Sequence, residues 1–98
     1  MNLDECRKEI DAIDTEILVL LNRRAELARR IGRIKTMAAL PIVDKDREEI
    51  VIRHVVRENA GDIGDRALSR IYGEILSESR RIQHAVAVEW VSSGEQGI

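Results

Sequence analysis

Counted in alternating steps of three and four from Leu3, the positions Cys6, Ile10, Ile13, Ile17, Leu20, Leu27, Ile31, Ile34 and Ala38 are all apolar, and only Arg24 interrupts the row. That spacing is the inward stripe of one amphipathic helix, and it predicts a first helix from about Leu3 to Ala39. Pro41, the only proline, separates this helix from the rest of the chain. The stretch LPIVDKDREE then reads as a short extended turn and a helix start, with Asp44 or Asp46 as N-cap and acids in the first turn. A second helix is expected over Lys45 to Glu58; it is rich in β-branched residues, so packing rather than propensity must hold it. The segment NAGDIGD breaks the chain, and Gly64 or Asp65 opens a third helix to about Trp90. With no strand pattern, the expected class is all-α: three helices, one of them very long, in a single domain over residues 1–91. The tail SSGEQGI, residues 92–98, has turn-former composition and is expected to be disordered.

A first helix of this length spans on the order of 50 Å, whereas a compact chain of this size has a radius of gyration of about 13 Å. The second and third helices are too short to cover the whole stripe. The chain is therefore read as an obligate homodimer whose long helices pack antiparallel across a two-fold axis.

Arg24 then becomes the anomaly. A cation on an inward stripe, with no acid one turn away on the same row, is costly to bury unpaired. Lys35 lies three turns on and faces nearly the same way, through Ala28 and Ile31. On the third helix Leu68, Tyr72, Leu76, Ser79 and Gln83 share one face, which turns polar at its last two positions. A cation pair and a Ser/Gln pair on inward faces describe a polar pocket in an aliphatic bundle, a place where bundles bind small molecules.

Composition narrows the ligand. There is no Phe and one each of Tyr and Trp, so aliphatic side chains fill the core, and 16 basic residues face 18 acidic ones for a net charge of −2. Nucleic-acid binding usually shows a basic excess and stacking aromatics; a small anion met by local cations fits better. The single Cys6 excludes an internal disulfide and points to a reducing compartment, the cytoplasm. No apolar run is long enough to cross a bilayer. His54 and His84 sit alone on charged stretches. No cluster has metal-ligand spacing, and no phosphate loop or nucleophile–base arrangement is brought together by periodicity. An enzyme built this way holds and polarises an anion with no nucleophile, cofactor or metal.

The residues Arg7, Arg24 and Lys35, the run PIVDKDRE with Asp44, Arg47 and Glu48, and the run EILSESRRIQ with Ser79 and Gln83 closely resemble the all-helical, type II chorismate mutases. The resemblance covers Leu3 to about Val86. It implies a three-helix chain whose long first helices intertwine in a six-helix homodimer with two shared sites. The implied reaction is the Claisen rearrangement of chorismate to prephenate, the entry to phenylalanine and tyrosine synthesis. It assigns Arg24 and the partner subunit's Arg7 to the two substrate carboxylates, and Lys35 and Gln83 to the ether oxygen. Glu48, with the Asp44 backbone, is assigned to the ring hydroxyl, and Arg47 and Ser79 to the carboxylate shell. Arg80 and Arg81 add two positive charges beside the site, of which the family does not demand both, and they are expected to pair with Glu78 or Glu74 or to face solvent. Two other readings stay open: a same-fold lyase that removes pyruvate from isochorismate, which the intact DKDRE disfavours, and a non-catalytic helical dimerisation module in which Arg24 and Lys35 pair with acids of neighbouring helices. A fusion or complex with another aromatic-pathway enzyme is also open.

Overall fold

The computed structural model describes residues 1–94. It contains α1 (Leu3–Met37), α2 (Lys45–Glu58) and α3 (Asp65–Ser93), and no strand among the described residues. The expected helices stand close to their expected bounds. The difference is at the end of α3, which continues through Ser92 and Ser93 and stops where Gly94 enters the left-handed region at φ 72°. Residues 95–98 of the expected tail lie outside the described residues.

Local chemistry sets each terminus. The Asn2 side chain accepts from the Glu5 amide at 2.9 Å while the Glu5 carboxylate accepts from the Asn2 amide, a reciprocal cap on α1. At the other end, Leu40 N–H returns to the Lys35 carbonyl at 2.8 Å and Ala39 N–H to Thr36 at 3.2 Å, with Ala39 at φ 54°. This is the Schellman closure with alanine where glycine is usual, and Pro41 comes just after it. Of the two candidate caps for α2, Asp44 is the one used: its Oδ1 accepts from the Arg47 amide at 3.0 Å. Before α3 the Asn59 side chain donates to the Ile63 carbonyl at 2.6 Å and to Asp65 Oδ1 at 3.2 Å, which ties the turn together.

Helix α3 is central. It packs on both α1 and α2, which do not pack on each other. The α1–α3 contact climbs both helices in the same sense: Arg24 and Ala25 share a groove with Glu78 and Ser79, Gly32 meets Gln83, and Met37 lies by Val86 and Trp90. At the crossing a Cβ on Gly32 would lie 3.0 Å from Gln83 Cα and 3.2 Å from its carbonyl oxygen, so any side chain there would need the α3 backbone to give by a few tenths of an ångström.

The stripe on α1 that reads as inward is not the face that meets α3. Leu27, Ile31 and Ile34 remain 48, 43 and 62% exposed in the single chain. The docking face is a neighbouring row, Ala25, Ala28, Gly32 and Thr36, whose last member bonds back to the Gly32 carbonyl at 2.7 Å. Small residues let two helix axes come close, and the large residues of the other row would hold them apart. Among the described residues few are buried: Ala28 and Gly32 on α1, and Leu76, Gln83 and Val86 on α3. The chain is a slab of 63 × 27 × 15 Å with a radius of gyration of 17.4 Å.

Candidate active site

The C-terminal half of α1, the loop after it, the first turns of α2 and the middle of α3 enclose a cavity of about 320 Å³. Its polar wall is made of Arg24 and Lys35 from α1, Asp44, Arg47 and Glu48 from the start of α2, and Ser79, Arg80 and Gln83 from α3. Leu27, Ile31, Val51 and Leu76 supply apolar lining. Seven of the eight residues expected in the site are therefore brought together. Arg7 is not among them: it is exposed on α1, about 25 Å along the helix from Arg24.

Lys35 is the most constrained member. Its Nζ donates to the Ile42 carbonyl at 2.7 Å and to Gln83 Oε1 at 2.9 Å. An ammonium has three donors, so one remains for a ligand. The Gln83 amide is 6% exposed and is held from its other end, where Nε2 donates to Ser79 Oγ at 3.2 Å. The Ser79/Gln83 pair that interrupts the apolar face of α3 thus forms one chain of bonds with Lys35. Arg24 makes no ion pair among the described residues. It and Lys35 stand where the exposed large stripe meets the small stripe, which turns both toward the cavity.

Arg80 and Arg81 behave differently from each other. Arg81 bonds Glu78, as expected; its guanidinium holds the Glu78 carboxyl below the usual carboxylate range, and the pair is exposed. Arg80 instead lines the cavity and pairs with Glu48 of α2. The expectation of a solvent role or a partner on its own helix fails for Arg80. It sits four residues after Leu76 and three before Gln83, both cavity-lining, and helical spacing puts it on their face. Two further features escaped the sequence reading: the Ile42 carbonyl as an anchor for Lys35, and Gly32. The close small pair Ala28 and Gly32, four residues apart, was the available signal for the latter.

Among the described residues four cations, Arg24, Lys35, Arg47 and Arg80, stand against two acids, Asp44 and Glu48, which gives the cavity wall an excess of two positive charges. Such a site suits a small dianion. Residues 6–84 match the family model for chorismate mutase type II. The chain belongs to that family. Among its relatives, the bifunctional chorismate mutase/prephenate dehydratase of Aquifex aeolicus is 44% identical over 93 residues, covering 91% of this chain and 26% of the relative. The chain thus spans about a quarter of that bifunctional protein's length. Among solved structures, chorismate mutase (form II) from Thermus thermophilus superposes with a TM-score of 0.82 at 34% identity, over 84% of this chain and 93% of that one. Chorismate mutase from Helicobacter pylori in complex with prephenate gives 0.80 at 31% identity, over 89% and 94%.

Proposed function

We propose that the chain converts chorismate to prephenate. The substrate is a dianion with a ring hydroxyl and an enolpyruvyl ether. The rearrangement breaks the ether C–O bond as a C–C bond forms, in one cyclic shift of electrons, so no proton leaves and no covalent intermediate is needed. Catalysis then reduces to holding the side chain folded over the ring and to placing donors where negative charge grows on the ether oxygen. Arg24, which has no acid partner among the described residues, is available to clamp a carboxylate with two parallel bonds. Lys35 offers its third N–H to the ether oxygen. In the proposed complex the Ser79 hydroxyl turns to a carboxylate and frees Gln83 Nε2 for the same oxygen. Glu48 and the Asp44 backbone take the ring hydroxyl, and Arg47 completes the carboxylate shell.

The second carboxylate clamp is Arg7 of the partner subunit in a homodimer whose long helices intertwine. Support comes from the distance of Arg7 from its own chain's cavity and from the aliphatic stripe left open on α1. No described helix is long and apolar enough to cross a membrane, and the lone Cys6 supports a place in the reducing cytoplasm. The reading as a bare dimerisation module called for acids beside Arg24 and Lys35; Lys35 is instead bound to a carbonyl and an amide.

The observation that carries the proposal is the Lys35–Gln83 pair, fixed at 2.9 Å on the wall of a cation-rich cavity. The test is to add purified protein to chorismate and follow loss of its ultraviolet absorbance with appearance of prephenate, alongside a parallel reaction with isochorismate. Prephenate from chorismate is expected. Pyruvate from isochorismate without prephenate formation would make it the lyase, and no turnover of either would end both readings.

A further inference from the structure

We infer that Arg80 is a positioning residue for this site: through its ion pair it fixes the Glu48 carboxylate and offsets its charge, so that an anionic acceptor can serve a substrate that itself carries two carboxylates. The inference rests on the reading of the cavity as a chorismate site.

The difficulty that Arg80 resolves is electrostatic. Glu48 is the acceptor proposed for the ring hydroxyl, and an ionised carboxylate is the best acceptor available. The same charge, on the wall of a half-enclosed cavity, repels a dianion held a few ångströms away, and screening by solvent is weaker there than at an open surface. A neutral acceptor avoids the repulsion but gives a weaker bond. Pairing the carboxylate with a cation keeps the acceptor and cancels most of its field.

The geometry fits that use. Glu48 lies in the first turn of α2 and Arg80 in the middle of α3, so the bond joins the two helices across the cavity wall. Both side chains are partly withdrawn from solvent, at 25 and 33% exposure. The two residues also line a wider open groove between α2 and α3, so their bond stands between the cavity and that groove. An arginine suits the place because its planar fork restrains the orientation of the carboxylate as well as its charge. Its neighbour Arg81 is engaged with Glu78 at the surface, away from the cavity.

The test is a double-mutant cycle of parent, Arg80→Met, Glu48→Gln and the double variant, each assayed for kcat and KM with chorismate, with thermal melts to confirm folding. Arg80→Met is expected to lower kcat/KM about tenfold, chiefly through KM. In the Glu48→Gln background the same substitution is expected to cost less than about twofold, because there is then no carboxylate for Arg80 to orient and only the screened attraction of its own charge for the substrate is lost. An equal loss in both backgrounds would overturn the inference, since it would mean that Arg80 acts on the substrate by its own contact or charge, or serves only the fold, and not through Glu48. Should Arg80→Met fail to fold, Arg80→Gln, which removes the charge but can still bond Glu48, carries the same cycle. A parent that leaves chorismate unchanged would refute the proposed function itself; an active parent with an additive cycle would refute only the role of Arg80.

Discussion

Lys35 does several things from one position. It lies in the last turn of α1, where a cation is favoured; its carbonyl closes the helix end and its ammonium reaches the loop and α3. Lys35→Ala is expected to lower turnover by a factor corresponding to about 2.7–4 kcal/mol, the usual effect of removing one preorganised donor to a developing oxyanion. The helices should survive it, and circular dichroism beside the chorismate assay checks both halves of that statement. Arg24, Ser79 and Gln83 were legible in the sequence because each breaks an apolar row, and Lys35 because it faces nearly the same way as Arg24 three turns on. Asp44, Arg47 and Glu48 break nothing, since acids and bases are ordinary at a helix start, and only the family resemblance singled them out. Arg80 was hidden for a similar reason: in ESRRIQ a charged residue sits among charged residues, and its partner is 32 positions away in the chain.

At the scale of elements, helix ends were readable because breakers and caps are local chemistry. Which face docks on which helix was not, because α1 carries two adjacent stripes and the larger, more apolar one drew the inference. Gly32 is the residue on which the true crossing turns. Gly32→Val would press against the backbone of Gln83, which cannot move without shifting α3. It is expected to cost about 1–3 kcal/mol, the range for overpacking, and to reduce turnover by displacing the Gln83 amide from Lys35. Gly32→Ala should be milder, as alanine's better helix propensity returns about 1 kcal/mol. Urea unfolding of the two variants against the parent measures the difference. At the end of the same helix Ala39 holds a left-handed conformation that costs a side-chain-bearing residue roughly 1–2 kcal/mol. Ala39→Gly is expected to raise stability by about 1 kcal/mol, less whatever glycine adds to the entropy of the unfolded chain, with the urea midpoint as readout.

The whole molecule is 15 Å thick, little more than the diameter of one helix, about 10–12 Å. Light scattering after size exclusion is expected to show a dimer and no folded monomer. The proposed sharing of the site gives a sharper expectation. Arg7→Ala and Arg24→Ala homodimers should each be nearly inactive, because every pocket lacks one clamp. In a mixed dimer both lesions fall in one pocket and the other is complete, so random reassembly should restore about one quarter of parental activity. Co-refolding, with exchange confirmed by native mass spectrometry, measures it; proven exchange without recovery would place Arg7 outside the shared site. Helix length alone led the sequence to an expected second chain, and the large apolar residues Leu27, Ile31 and Ile34 of α1 do stay exposed in the single chain. A slab this thin has another consequence. If two copies are needed to enclose one interior, acquiring structure is a second-order reaction: its midpoint moves with dilution, and a newly made chain must meet another before it is stable. Joining two copies by a flexible linker would make that encounter intramolecular and replace bulk concentration with an effective one in the millimolar range, of order 1 mM for a short linker.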